Sequence, residues 1–285
     1  MNDRLRTLER VAVSALFNAN KIHDALGKVG EEIMPKNQFG DTALRADIEA
    51  ENAVMEVFRN NKIPIRFFSE EHGTVDLCKN PSYLGVLDGL DGSVVYKSAR
   101  GKDRYGTMLG VFAGANPSYD DYLFSGIIEH STKKLYFAIR GMGSYVMENE
   151  KSVRIACSGQ HVLDKNNTLI YADEMYDRAF GVTIIKDTFL SKLREFHFLN
   201  HPASEVHYVD LAFGDADLVL DCTRKNNLEI AAAYGLVREA GGVMMTLDGK
   251  SIGLKKYLEF GQKENIPVVS AATEALANAL IRQIE

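Results

Sequence analysis

The sequence predicts a layered α/β fold, in which helices pack on the faces of β-sheets. Apolar residues recur at helical spacing near both ends of the chain, while short apolar runs bounded by turn residues fill the segments between them. The 285 residues contain no repeat, low-complexity tract or long linker, so they suit one large domain or two closely packed halves. We place the halves at residues 1–150 and 151–285, with a crevice for a small molecule between them.

Two helices are predicted at the start of the chain. The first covers residues 4–28, where apolar residues such as Leu8 and Val11 recur at near-helical spacing. Asp41 or Thr42 can serve as the N-cap of the second helix, which runs to about residue 60.

Strands dominate the next segment. Residues 65–68 and 83–87 have the composition of short buried strands, and each leads directly into an acidic turn. Between residues 105 and 146, strand-like runs alternate with Asn-Pro-Ser and His-Ser-Thr-Lys turn sequences, which predicts an antiparallel meander.

The second half alternates between strands and helices. We predict strands at residues 168–172, 217–222, 241–247 and 268–271, and helices at residues 189–196, from Ser204, at 230–240 and at 273–284. Such alternation is typical of sheets that are covered by helices.

Composition and charge argue against several classes of function. The net charge is −6 and the pI is about 5.7, whereas nucleic-acid-binding surfaces need clustered Lys and Arg in excess. No apolar run approaches the roughly 18 residues that span a bilayer, and the N-terminal segment is charged where a secretion signal would be apolar. The three cysteines have neither disulfide nor zinc-site spacing. We therefore expect a cytoplasmic protein that binds neither nucleic acid nor membrane.

The most informative motif is Leu-Asp-Gly-Leu-Asp-Gly-Ser at residues 87–93. Mg²⁺ prefers several carboxylate or carbonyl oxygens at close range, and Asp88, Asp91 and the Leu90 carbonyl can supply them from one tight turn. If a helix begins at Gly92 and Ser93, its free N–H groups would bind a phosphate oxygen. An ordinary polar turn is the alternative, and this motif alone does not decide between the two.

Two further acidic positions strengthen the metal-site interpretation. Glu70 and Glu71 follow an apolar strand, where two like charges are costly unless a cation neutralises them. Glu229 lies in the first turn of a predicted Ala-rich helix. Each position also has a simpler interpretation, since the glutamate pair can lie in a solvated loop and Glu229 can interact with the helix dipole.

In this order, the motifs resemble those of the inositol-monophosphatase-like superfamily, which also contains fructose-1,6-bisphosphatases and 3′-phosphoadenosine-5′-phosphate phosphatases. The family motifs stand here as Glu70-Glu71, Asp88-Gly89-Leu90-Asp91-Gly92-Ser93, Leu228-Glu229-Ile230-Ala231-Ala232-Ala233 and Glu239-Ala240-Gly241-Gly242. Residues 41–47 resemble the family's early Asp-x-x-Thr-x-x-Asp segment. Gly89 replaces the usual proline, and Leu228-Glu229 replaces Trp-Asp, although fructose-1,6-bisphosphatases also carry Glu there.

The resemblance, which extends over nearly the whole chain, implies an α-β-α-β-α sandwich that is usually homodimeric. It also implies phosphate ester hydrolysis with two or three Mg²⁺ ions, for which Mn²⁺ is expected to substitute, and inhibition by Li⁺ in many members. In this sequence it assigns Glu70, Asp88 and the Leu90 carbonyl to a first ion. It assigns Asp88, Asp91 and Glu229 to a second ion. Since all of these ligands except Glu229 lie within residues 1–150, that segment would form the metal- and phosphate-binding half.

The resemblance also assigns the catalytic groups. Ser93 would contact the phosphate or the attacking water, and Glu70 and Glu71 would activate that water. Asp41 or Asp47 would help to hold a third ion.

The substrate pocket is expected in the second half. The resemblance places the leaving-group pocket around Ser204 and the segment ending at Asp221. Asp221 would accept a hydrogen bond from a substrate hydroxyl, or it is a surface acid. The loop after residue 93 carries four cationic residues, Lys97, Arg100, Lys102 and Arg104. These residues form a solvated basic loop, or else one or two of them bind a second anionic group on the substrate.

We predict that the substrate is a small phosphorylated polyol or sugar, with myo-inositol 1-phosphate first. Fructose 1,6-bisphosphate follows closely because of Glu229, Ser93 and the basic loop. 3′-Phosphoadenosine 5′-phosphate is a less favoured substrate, since the sequence offers no clear aromatic platform on which its base could stack. A non-catalytic phosphosugar-binding relative is the alternative from a different class.

Overall fold

The computed structural model describes residues 3–99, 102–172, 195–199 and 201–284, and it begins with the predicted long helix. Helix α1 spans Asp3–Leu26 and continues into a 3-10 turn at Gly27–Glu31. A short antiparallel hairpin of β1 (Ile33–Lys36) and β2 (Thr42–Leu44) then leads into helix α2 at Arg45–Asn60.

The start of α2 corrects the predicted helix cap, because Thr42 lies in strand β2 and pairs with β1. Neither Asp41 nor Thr42 is therefore available as the N-cap. The N-cap is Leu44, whose N–H donates to Asp47 Oδ2 at 2.7 Å. A carboxylate three residues into the helix thus satisfies one of the free N–H groups at its start.

An eight-stranded sheet forms the centre of the first half, in the order β10-β9-β8-β7-β6-β5-β3-β4. Its strands are β3 (Ile65–Ser69), β4 (Gly73–Asp76), β5 (Tyr83–Asp91), β6 (Gly106–Ala113), β7 (Tyr122–Glu129), β8 (Lys134–Ile139), β9 (Gly143–Glu148) and β10 (Lys151–Ile155). The predicted meander is confirmed as the antiparallel run from β6 to β9. Helix α3 (Ser93–Ala99) follows β5 directly, as the motif predicted. The proposed boundary at residue 150 lies in the turn between β9 and β10.

The second half forms a five-stranded sheet in the order β12-β11-β13-β15-β14. Its described elements are β11 (Leu169–Ala172), β12 (His197–Leu199), α4 (Ser204–Phe213), β13 (Leu218–Cys222), α5 (Leu228–Glu239), β14 (Val243–Thr246), β15 (Pro267–Ala271) and α6 (Glu274–Ile284). Apart from β12, which was not predicted, these elements match the predicted order. The predicted helix at residues 189–196 lies outside the described residues apart from its last two positions.

Three apolar clusters join these elements into an α-β-α-β-α sandwich. One cluster packs α1 and α2 on one face of the large sheet, through residues such as Leu16 and Phe58. A second contains residues of the opposite face, of α4 and α5, and of the small sheet, with Ala232 fully buried at its centre. The third packs α6 on the far face of the small sheet through Leu276 and Leu280. The sandwich prediction is therefore confirmed.

None of the helices within the described residues combines the length and the hydrophobicity needed to cross a bilayer.

Candidate active site

Parallel pairing of β3 with β5 brings the two predicted acidic turns together. Ser69, the last residue of β3, lies opposite Leu87 in β5. The Glu70 N–H donates to the Leu87 carbonyl at 3.1 Å. Glu70 follows Ser69 and Asp88 follows Leu87, so this bond places Glu70 beside Asp88. Because the carboxyl ends of parallel strands meet at one edge of a sheet, two turns that are distant in sequence share one site.

Asp88 and Asp91 lie at the end of strand β5, where its pairing with β6 shifts register, rather than in a turn after the strand as predicted. Two hydrogen bonds hold this segment. The Leu90 N–H donates to Asp88 Oδ1 at 2.9 Å, and the Thr107 hydroxyl donates to the Gly89 carbonyl at 2.7 Å. A Cβ on Gly89 would lie 2.3 Å from the Asp47 carbonyl oxygen in α2. A side chain at position 89 would therefore require the backbone of α2 or of this segment to shift.

Asp88, Asp91 and Glu229 converge on one point. A carboxylate oxygen of each lies within 4.8 Å of those of the other two, and all three side chains are buried. Asp88 and Asp91 come from the end of β5, whereas Glu229 comes from the first turn of α5 in the layer between the sheets. The cluster of three carboxylates is therefore complete only where the end of β5 meets the helix layer that contains α5. The sequence motifs predicted this grouping of Asp88, Asp91 and Glu229.

The charges of this cluster suit a hard divalent cation. Burial raises the pKa of Asp88 well above its ordinary value, and the carboxylates of Glu70, Asp91 and Glu229 raise it further. Burial also raises the pKa of Asp91, with Glu229 as the next contribution. Such mutual repulsion is relieved by a cation, and an all-oxygen donor set is what Mg²⁺ prefers. The residues present therefore fit the ion that the family implies.

A second group of carboxylates lies beside the first. Burial raises the pKa of Asp47 well above its ordinary value, followed by the charges of Glu71 and Glu70. Burial and the charge of Glu70 raise the pKa of Glu71 to about 7. The Asn37 amide, from the segment between β1 and β2, lies 3.2 Å from Glu71 Oε1 and 3.4 Å from Glu70 Oε1. Asp41 and Asp47 both line the cavity with this pair.

Glu51 is a site residue that sequence reasoning missed. It is fully buried in α2, and its carboxylate accepts hydrogen bonds from the Ser69 hydroxyl at 2.8 Å and from the Glu71 N–H at 3.1 Å. The same carboxylate accepts from the His72 N–H at 3.3 Å and lies 2.6 Å from His72 Nδ1. It therefore fixes the turn that presents Glu70 and Glu71. Its spacing of four residues from Asp47 on one helix face was the available signal.

Arg224 and Lys225 were missed as well, and they are the basic residues among those described that line the cavity. Lys225 Nζ lies 2.7 Å from Glu70 Oε1 and 3.0 Å from Asp41 Oδ2. Burial lowers the pKa of Lys225, but the carboxylates of Glu70 and Glu229 outweigh it, so the pKa lies above its ordinary value. The available signal was two adjacent cations shortly before Glu229.

Arg224 lies next to both of the predicted substrate-binding residues, Ser204 and Asp221. Ser204 Oγ donates to Glu229 Oε2 at 2.9 Å, and Arg224 Nη2 donates to both Ser204 Oγ at 2.8 Å and Glu229 Oε2 at 2.7 Å. Asp221 accepts a hydrogen bond from the Tyr208 hydroxyl at 3.0 Å and lies 3.8 Å from Arg224 Nε. Neither Ser204 nor Asp221 is among the described residues that line the cavity.

None of the described cationic residues of the predicted basic loop lines the cavity, and Lys97 lies in helix α3 rather than in a loop. Arg104 turns away from it and pairs with Glu129 at 2.5 Å and with Asp210 at 2.7 Å. Lys97 and Lys102 are exposed, and Arg100 lies outside the described residues. For Lys97, Lys102 and Arg104, the structure favours the solvated or structural interpretation.

These residues enclose a cavity of about 180 Å³. Besides the carboxylates and the two cations, its walls include Gly92, Ser93 and Val94 at the start of α3, and Pro202. Because a bound cation reverses the sign of the local charge, a small cavity lined by carboxylates suits metal ions together with a small anionic molecule.

Comparisons with known proteins find a family, relatives and solved structures that are similar to this chain over most of its length. The family model described as "Inositol monophosphatase family" matches residues 5–285. A protein of Thermococcus kodakarensis named fructose-1,6-bisphosphatase/inositol-1-monophosphatase is 29% identical over 259 residues, which are 90% of this chain and 88% of that protein. An inositol-1-monophosphatase of Synechocystis is 24% identical over 88% of this chain and 82% of its own. The solved structure of extragenic suppressor protein suhB from Bartonella henselae has a TM-score of 0.76 at 17% identity, with 98% of both chains covered.

Proposed function

Since this chain belongs to the inositol monophosphatase family and is a phosphoric monoester hydrolase, we propose that it uses Mg²⁺ to hydrolyse a small phosphorylated polyol or sugar. The convergence of Asp88, Asp91 and Glu229 within 4.8 Å is the observation that carries the proposal. Three buried carboxylates this close together suit metal-assisted chemistry better than a structural role.

The proposed metal ligands follow from the cavity walls. Glu70, Asp88 and the Leu90 carbonyl would hold one ion, and Asp88, Asp91 and Glu229 a second. Asp47, with Asp41 near it on the cavity wall, would help to hold a third. When bound, Mg²⁺ neutralises phosphate charge, lowers the pKa of the attacking water and stabilises the leaving alkoxide.

The start of α3 is the proposed phosphate site. Gly92 has φ of +92°, a conformation that favours glycine, and this turn directs the chain from β5 into the helix at Ser93. The first N–H groups of a helix point away from its body, so they can donate to phosphate oxygens. The Ser93 hydroxyl would hold a phosphate oxygen or orient the attacking water.

Glu71 is the best-placed general base for that water, with Glu70 beside it. Glu71 lines the cavity, and burial together with Glu70 brings its pKa to about 7. A carboxylate whose pKa lies near the working pH accepts a proton most effectively in general base catalysis. Glu51 and Asn37 hold the pair in position.

The cavity favours a polyol or sugar over a nucleotide. No aromatic side chain is among the described residues that line it, so these walls offer no platform on which a base could stack. Inositol 1-phosphate is therefore our first candidate. Fructose 1,6-bisphosphate is the second, because Arg224 and Lys225 supply positive charge for another anionic group.

A substrate panel tests this choice. We expect kcat/KM for inositol 1-phosphate or fructose 1,6-bisphosphate to exceed that for p-nitrophenyl phosphate by about tenfold or more, a difference of about 1.4 kcal/mol in transition-state binding. Similar values for every ester, including 3′-phosphoadenosine 5′-phosphate, would refute polyol selectivity. Ligand binding without Mg²⁺ and without turnover would favour the non-catalytic alternative. We also propose that the protein is a cytoplasmic homodimer, that Li⁺ inhibits it and that Mn²⁺ can substitute for Mg²⁺.

A further inference from the structure

We propose that Lys225 is a built-in cation that competes with divalent ions for Glu70 and Asp41, and that it binds the substrate's phosphate once an ion displaces it. This inference rests on the proposed metal-dependent function. It assigns to one lysine two opposite effects, weaker metal binding and tighter anion binding.

The contacts of Lys225 place its ammonium group inside the carboxylate site. Its Nζ lies 2.7 Å from Glu70 Oε1, an oxygen of a proposed metal ligand, and 3.0 Å from Asp41 Oδ2. An ammonium at these distances engages one of the two Glu70 oxygens, and its positive charge repels a divalent ion that approaches the same carboxylate. Metal binding at Glu70 must therefore break or rearrange this ion pair.

The backbone that delivers Lys225 is unusual. Lys225, Asn226 and Asn227 have φ of 46°, 57° and 59°, so three consecutive residues with side chains adopt the left-handed conformation. That conformation is unfavourable for residues other than glycine, although asparagine tolerates it best. Strained backbone persists where the surrounding structure holds it, and it is frequent at functional sites.

Neighbouring groups hold this left-handed turn in place. The Asn227 side-chain amide donates to the buried Tyr119 hydroxyl, and Gln262 Nε2 donates to the Asn226 carbonyl at 2.9 Å. The Asn227 N–H also donates to the Arg224 carbonyl at 2.6 Å. These contacts hold the backbone of the turn from which the Lys225 side chain extends.

The charge balance explains why Lys225 would have a role both without and with a bound divalent ion. Seven carboxylates line the cavity, whereas the described lining residues include two cations. With no divalent ion bound, Lys225 offsets part of this negative charge. When an ion takes its place at Glu70, the ammonium remains within the same small cavity, where it can donate to a phosphate oxygen.

Metal and anion binding to Lys225→Met test the proposal. Free Mn²⁺ would be followed by electron paramagnetic resonance, and inorganic phosphate binding at saturating Mn²⁺ by calorimetry. Lys151→Met, at an exposed lysine on β10, is the control. We expect Lys225→Met to bind Mn²⁺ about tenfold more tightly than the unaltered protein without phosphate, and to bind phosphate about tenfold more weakly.

Each outcome has a distinct meaning. Unchanged or weaker Mn²⁺ binding by a folded Lys225→Met protein, with normal Mn²⁺ binding by the unaltered one, would overturn this inference alone. An unaltered protein that binds no Mn²⁺ would overturn the proposed metal-dependent function itself. If Lys225→Met does not fold, Lys225→Gln is the second variant, for which the same tighter Mn²⁺ binding is expected and the same null result would be decisive.

Discussion

Replacing Glu51 with alanine tests how the fold positions the Glu70–Glu71 pair. The substitution removes the carboxylate that accepts from the Ser69 hydroxyl, from two backbone N–H groups and from the His72 side chain. Each buried donor left without a partner costs about 1–3 kcal/mol. The loss of a buried ion pair's acidic member costs about 3–5 kcal/mol in total, which is the magnitude we expect here.

The thermal midpoint gives the first measurement of this effect. At about 2.1 cal/mol/K per residue, a chain of 285 residues unfolds with an entropy of about 0.6 kcal/mol/K. The expected destabilisation of about 3–5 kcal/mol therefore lowers Tm by about 5–8 °C. Glu56→Ala, at an exposed position on the same helix, is the control and should leave Tm nearly unchanged.

Activity gives the second measurement, because the turn that Glu51 fixes carries a proposed metal ligand and the proposed general base. We expect Glu51→Ala to lower kcat and to raise the Mg²⁺ concentration needed for half-maximal activity, whereas Glu56→Ala changes neither. A Glu51→Ala protein with the original Tm and the original Mg²⁺ requirement would refute the positioning role.

Two further predictions concern the same region. Gly89→Ala should destabilise the protein by about 1–3 kcal/mol, because the new Cβ would lie 2.3 Å from the Asp47 carbonyl oxygen; an unchanged Tm would contradict this. Hydrogen bonding to Glu51 raises the pKa of His72, so stability from this pair is complete below the ordinary histidine pKa of about 6.5 and is lost as pH rises through the folded pKa. Urea denaturation across this range should show that loss, and His72→Gln should remove it; identical pH profiles for the two proteins would contradict the assignment.

The sequence predicted the elements with strong periodicity or composition. The helix over residues 4–28, the meander, and the helices from Ser204 onwards within the described residues were recovered because apolar residues repeat along one face of each. The short strands β1, β2, β4 and β12 were missed, since three or four residues are too few to show a period. Strand β10 was missed as well, because four of its five residues are exposed and the segment is mostly polar. The N-cap of α2 was placed wrongly for the same reason, because β2 occupies the residues that looked like a cap.

The clustered carboxylates Asp88, Asp91 and Glu229 could be proposed together from the sequence. Asp88 and Asp91 belong to one short motif at the end of β5, and family resemblance supplied Glu229, which the layer of α5 brings to them. Lys225 was missed because two adjacent cations before Glu229 do not show by themselves that a left-handed turn, formed by residues with side chains, brings them to the site. Glu51 was missed because a buried glutamate in a helix looks like a surface residue until its partners are known.

Phosphate release from inositol 1-phosphate and fructose 1,6-bisphosphate, with and without Mg²⁺, tests the central claim most directly. Asp88→Asn removes one charge from the proposed metal site, and Asp215→Asn, at an exposed loop residue, is its control. We predict release that chelator abolishes and Mg²⁺ restores, and that Asp88→Asn lowers by about a hundredfold or more, as expected for loss of a major electrostatic contribution to the transition state. Release that continues in chelator, or that Asp88→Asn leaves intact, would contradict the metal-dependent mechanism.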